Sequence, residues 1–154
     1  MKIKIISGGQ TGVDRAALDA AIAAGLTYGG IIPKGRIAED GRVPQSYHAL
    51  QEADVDEYSF RTEQNVLNAD ATLILGYLPM SGGTMTTNQY CHQHGKSHLF
   101  INLEKPEDEN RERILEWLQS EKPAILNIAG PRESKQPGIY KKARRLLESV
   151  FEKL

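Results

Sequence analysis

Two glycine-rich stretches carry the chemistry that this chain is equipped to do. Residues 7–12 read Ser-Gly-Gly-Gln-Thr-Gly, and residues 81–84 read Ser-Gly-Gly-Thr. The first follows an apolar run (Ile3, Ile5, Ile6), the second follows Ala71 to Leu75, and both open a helical pattern. At a strand-to-helix turn, glycine lets backbone approach a ligand without Cβ atoms in the way. The first N–H groups of a helix also lack partners inside it. Such an end carries an effective charge of about +0.5 and binds anions. Gly8, Gly9, Gln10, Thr11 and Gly12 are therefore candidates for holding phosphate or another oxyanion, with Gly82, Gly83 and Thr84. Thr86 and Thr87 could add hydroxyl donors. Either loop alone could equally be a tight turn with capping threonines. Two in equivalent contexts favour one shared site.

Neither loop is a standard nucleotide motif. Glycines at positions one, two and five of residues 8–12 do not match GxGxxG, and the second strand ends in Pro33-Lys34 where a ribose-binding acid would stand. No NAD site is expected. No GK[ST] follows either loop, so the lysine and metal-holding hydroxyl of ordinary ATP hydrolysis are missing.

Other polar residues extend the candidate site. Lys34 and Arg36, beyond a strand's carboxyl end, could pair with ligand anions, against the alternative of a solvated loop of mixed charge. Arg61 and Asn65 share one helix face and could line the crevice; alternatively Thr62 is an N-cap and Arg61 a surface charge. Asp14 is the one general base to name beside the first loop, with Glu39 a weaker candidate for acid–base work. Cys91, His92, His94 and His98 invite a metal reading, but Cys91 and His92 diverge by about 100° on a helix and His98 lies beyond Gly95. A structural cysteine and helix-end histidines explain them better, and no metal site is expected.

The elements that must position these residues alternate along the chain. Strands are expected at Lys2 to Ser7, Tyr28 to Ile32, Ala71 to Gly76, His98 to Leu103 and Ala124 to Ala129. Helices are expected at Asp14 to Ala24, Thr62 to Asn68, Thr84 to His94, Pro106 to Ser120 and Pro137 to Lys153. Gly25 and Gly95 stand where helix C-caps belong. Val55 to Phe60 reads as a short strand or extended loop. The last helix is amphipathic through Ile139, Ala143, Leu146, Leu147 and Val150, with a basic stretch of Lys141, Lys142, Arg144 and Arg145. This order predicts an α/β fold of three layers with a mainly parallel sheet, and 154 residues suit a single domain. With the first strand central and beside Ala71 to Gly76, both loops would face one crevice at the topological switch point.

A net charge of −1 gives no general reason to expect nucleic acid, and aromatic stacking residues are scarce. No apolar run approaches the roughly 20 residues of a membrane span, so no membrane partner is expected. The start of the chain enters a strand without a signal-peptide pattern, and one cysteine fits a reducing compartment, so the cytoplasm is the expected location.

Several segments resemble the molybdenum carrier family, a circularly permuted branch of the Rossmann-like superfamily that includes the cytokinin-activating LOG proteins. They are residues 8–19 (Gly-Gly-Gln-Thr-Gly-Val-Asp-Arg-Ala-Ala-Leu-Asp), Pro33-Lys34-Gly35-Arg36 with Ala38-Glu39-Asp40-Gly41, Arg61-Thr62-Glu63 with Asn65-Val66, Ala69 to Ile74, and Gly82-Gly83-Thr84. The match runs in order through the first two thirds of the chain. The resemblance implies a Rossmann-like fold, a homo-oligomer (dimer or tetramer) and a phosphate-bearing ligand, with molybdenum cofactor (molybdopterin) as the named candidate. In LOG enzymes a glycine loop followed by an acid holds a nucleotide and assists glycosidic cleavage. Here Asn88 and Gln89 follow the second loop, with no acid nearby. A binding or carrier protein is thus the leading expectation. A LOG-type nucleotide hydrolase comes second, and a single-stranded nucleic-acid binder third.

Overall fold

The computed structural model describes residues 2–154. Six parallel strands form one sheet: β1 (Lys4–Ile6), β2 (Thr27–Ile32), β5 (Leu50–Glu52), β6 (Ala71–Gly76), β7 (Ser97–Asn102) and β8 (Ile125–Ala129). A two-stranded antiparallel hairpin, β3 (Ile37–Ala38) with β4 (Gly41–Arg42), stands apart. The helices are α1 (Val13–Ala23), α2 (Tyr58–Asn68), α3 (Gly82–Gln93), α4 (Glu107–Glu121) and α5 (Ile139–Phe151). The architecture is the expected α/β Rossmann-like one.

Strand order is β5-β2-β1-β8-β6-β7. The expectation that the first strand lies beside Ala71–Gly76 is corrected, because β8 inserts between them. Ile6 of β1 is in register with Asn127, and Asn127 in turn with Thr72 of β6. The switch point survives the insertion: the chain leaves β1 toward β2 on one side and β6 toward β7 on the other.

Alternation along the central strands makes the two faces of the sheet unlike. Ile3, Ile5, Leu73, Leu75, Leu126 and Ile128 join one apolar core with α1, α4 and α5. Helix α1 presents Ala16, Ala17, Ala20 and Ala21, small enough for α5 to pack closely with Ala143, Leu147 and Val150. The intervening strand positions face the α2/α3 side and mix buried apolar Ile6 and Ile74 with buried polar Thr72 and Asn127. Burial of both faces makes β6 the continuous apolar run that the sequence displays.

Differences from the expected boundaries have local causes. Helix α2 begins at Tyr58, so Val55 to Phe60 is neither strand nor wholly loop, and Thr62 is no N-cap. Instead its hydroxyl donates to Tyr58 O at 2.9 Å within the helix. Strand β5 and the β3–β4 hairpin were not foreseen; each is at most three residues long and carries no period. Gly25 and Gly95 do close α1 and α3. Leu26 N bonds to Ala21 O and Lys96 N to Cys91 O, both at 2.9 Å, as in Schellman caps. No helix among the described residues is long and apolar enough to cross a membrane.

Candidate functional site

A cleft of about 610 Å3 opens where the carboxyl ends of β1, β8 and β6 meet. Gly8, Gln10 and Asp14 line it from the β1–α1 turn, and Ser81, Gly82, Gly83 and Thr84 from the β6–α3 turn. Gly130, Pro131, Arg132 and Lys135 enter from the segment after β8, while Tyr58, Arg61 and Asn65 form the α2 wall. Both glycine loops therefore border one cleft, but the two are built differently.

The first loop spends most of its donors on protein. Gln10 N donates to Asp14 Oδ2 at 3.2 Å, Thr11 N to Gln10 Oε1 at 3.1 Å, Val13 N to Pro131 O at 3.2 Å and Arg15 N to Gln10 O at 3.1 Å. These N–H groups already have protein acceptors, and the Asp14 side chain sits at this positive helix end. Gly12 has φ 79°, and a Cβ there would collide with the Pro131 carbonyl. It is a packing glycine outside the cleft lining. So is Gly9, whose Cβ would lie 2.9 Å from Ile32 Cγ2. Gly8 makes room for Arg61, whose guanidinium donates to Gly8 O.

Thr11, Glu39, Lys34 and Arg36 are also absent from the cleft wall. The Thr11 hydroxyl donates to Glu39 and accepts from Glu133 N at 3.2 Å. Glu39 further accepts from Ser134 and stands 3.4 Å from Arg132 Nε. Burial alone would raise its carboxyl, but these hydrogen bonds and the Arg132 charge hold it below the ordinary value. Glu39 is an ionised pin between two loops, which argues against an acid–base role. Arg36 turns inward, donating to Val43 O and Pro44 O at 3.1 and 2.8 Å, and Lys34 is exposed. The chain after β2 folds into the small hairpin, which takes up the Arg36 guanidinium and places Lys34 outside the cleft lining.

Asp14 and Arg61 are the charged groups brought together. Both are buried on the cleft wall. Burial pushes the Asp14 carboxyl up to about 6, against the opposing Arg61 charge and the Gln10 hydrogen bond. Burial likewise pulls the Arg61 guanidinium below its ordinary value, opposed by Asp14. Asn65 shares the α2 face of Arg61 but is committed to β2, accepting from Ile31 N at 2.8 Å and donating to Ile31 O at 2.9 Å.

The second loop remains open. Helix α3 starts at Gly82, and among the described residues the N–H groups of Gly82, Gly83 and Thr84 have no protein acceptor. A Cβ on Gly83 would meet nothing within 4 Å; one on Gly82 would collide with the Lys135 ammonium. A cation held against a helix N-terminus is unfavourable without an anion between them. No carboxylate pairs with Lys135 among the described residues. Thr86 and Thr87 donate back to Gly82 O and Gly83 O, at 3.2 and 3.0 Å.

Arg132, Lys135 and Asn127 were missed in the sequence. Gly130-Pro131 directly after the last apolar run was the available signal, being a third turn at a strand's carboxyl end. The Cys91 cluster lies away from the cleft. Cys91 is buried and its thiol is pushed up by burial, with a Thr72 hydrogen bond opposing. His94 Nε2 is 2.8 Å from Glu63, and the His92 and His98 rings meet edge to face. The basic stretch of α5 is partly paired, Arg144 with Glu148 at 2.8 Å and Arg145 with Glu107 at 3.1 Å.

A family model described as the circularly permutated YpsA SLOG family matches residues 5–151. A crystal structure of a putative molybdenum carrier protein from Syntrophus aciditrophicus SB is similar, with 48% sequence identity and a TM-score of 0.93. The match covers 97% of this chain and 95% of that one. No curated protein matches the chain.

Proposed function

The chain belongs to the circularly permutated YpsA SLOG family, and from that premise we propose that it binds and carries a phosphate-bearing small molecule in the β1–β8–β6 cleft. The observation that carries this reading is the open start of α3, with three unpartnered N–H groups and the Lys135 ammonium beside them. Helix charge and ammonium together suit a phosphate dianion. The cleft volume is that of a site for a cofactor-sized molecule. Molybdenum cofactor is the named candidate cargo, since the similar protein is called a molybdenum carrier. Its phosphate would lie at Gly83 and Thr84. Among the described residues the cleft wall offers no thiol or imidazole, so the protein would hold such a cargo by its organic part and phosphate.

One residue favours a second reading. Asp14, with its carboxyl near 6, borders the same cleft, which suits acid–base processing of a nucleotide. Incubation with nucleoside monophosphates, followed by chromatography for released base, separates the two, and the carrier reading expects no product. Binding is tested by titrating 5′-AMP into the protein and into Gly83→Asp. The new carboxylate has room but sits where the phosphate would lie, so binding should fall at least tenfold. Equal affinity would refute the reading. Native mass spectrometry of protein purified from its own host should then show a retained mass, and that mass distinguishes a pterin from a nucleotide.

A further inference from the structure

Asn127 lies on β8, in the middle of the sheet, and is 2% exposed. Its Nδ2 donates to Thr72 Oγ1 at 3.3 Å, whereas its Oδ1 is buried with no hydrogen-bond partner among the described residues. Thr72 Oγ1 is the acceptor that holds the Nδ2 end of this amide. An unpaired buried carbonyl keeps its desolvation penalty, which is seldom retained without a partner to relieve it. Asn127 lines the same cleft as Gly83 and Lys135. One cleft thus holds donors and positive charge at the start of α3, and an acceptor lacking a donor at the β8 floor.

Resting on the proposed phosphate site, we infer that the cleft takes a phosphate monoester whose organic part carries an N–H or O–H group donated to Asn127 Oδ1. The phosphate is held at Gly83 and Lys135 while the donor-bearing ring or sugar reaches down to β8. Bare tetrahedral oxyanions and esters without a donor fill only the outer half of the cleft. Asn127 is then the residue that selects a heterocyclic or sugar phosphate over a simple phosphate.

Calorimetric titration with three probes tests this: inorganic phosphate, phenyl phosphate, which has no donor on its organic part, and 5′-AMP, which has several. The parent should bind 5′-AMP about tenfold or more tighter than phenyl phosphate, as one satisfied buried acceptor allows. Asn127→Leu should erase that margin, and its thermal melting curve reports that the variant is folded. Should Asn127→Leu not fold, Asn127→Ser takes its place, and the parent's own margin still decides. The inference is overturned if phenyl phosphate binds the parent as tightly as 5′-AMP, or if the margin persists in the variant. Binding of none of the three probes would instead defeat the phosphate site itself, and the inference with it.

Discussion

Asp14 concentrates the electrostatic tension of this molecule in one carboxyl. Burial raises it from 3.8 to about 6, so the native chain keeps a proton that the unfolded chain has released between those values. That preference stabilises the fold fully below the unfolded value and is lost as pH rises through about 6. Relative to the parent, Asp14→Asn lacks this dependence. Urea denaturation at about pH 4 and about pH 7 should show the parent losing of order 2 kcal/mol more than the variant across the interval. Parallel stability curves would mean that Asp14 is not held protonated by its burial. Glu39 has the opposite character, with its carboxyl held low by Ser134, Thr11 and Arg132. Its removal should loosen the 132–134 segment that brings Lys135 to the cleft. Glu39→Ala is expected to cost about 1–3 kcal/mol and to weaken 5′-AMP binding, measured by thermal melting and calorimetry.

The two strand-to-helix turns look alike in sequence and differ in office. The β1–α1 turn is braced by its own side chains and by the Pro131 carbonyl, and the β6–α3 turn leaves its donors unpaired. Substitutions should separate them. Gly12→Val forces a branched residue to φ 79° and drives it into the Pro131–Arg132 backbone. A loss of about 3 kcal/mol or more is expected, read as a large drop in melting temperature. Gly83→Asp meets open space and puts an acid in the first turn of α3, so stability should hold or rise by about 0.3–1 kcal/mol while phosphate binding is lost. Retained stability in Gly12→Val would return the first loop to contention as the anion site. The elements themselves were legible because β6 and β8 are apolar runs bounded by glycine and α5 repeats at helical spacing. Strands β3 to β5, two or three residues long, carry no period to read. The roles of the two loops were hidden for a different reason. Whether a glycine spares a ligand or a neighbour depends on Pro131 and Arg61, which lie far away in sequence.

At the scale of the whole molecule, β8 explains both what was readable and what was not. Placing the last strand between β1 and β6 carries residues 127–135 into a cleft that the first two thirds of the chain only half build. Asn127, Arg132 and Lys135 therefore have no local sequence context that marks them as site residues, whereas Arg61 and Asn65 could be placed by their shared helix face. The same permuted order makes one side of the sheet an apolar core and gives the other a set of buried polar groups, Thr72 and Asn127 on the strands with Asn65 of α2 and Thr87 of α3. That polar side is where a small molecule finds partners. The most direct test of the central claim is a crystal structure of the protein soaked with 5′-AMP. The phosphate oxygens are expected within hydrogen-bonding reach of the Gly83 and Thr84 N–H groups and the Lys135 ammonium. Phosphate seated instead on the residue 8–12 loop, or outside the β1–β8–β6 cleft, would contradict it.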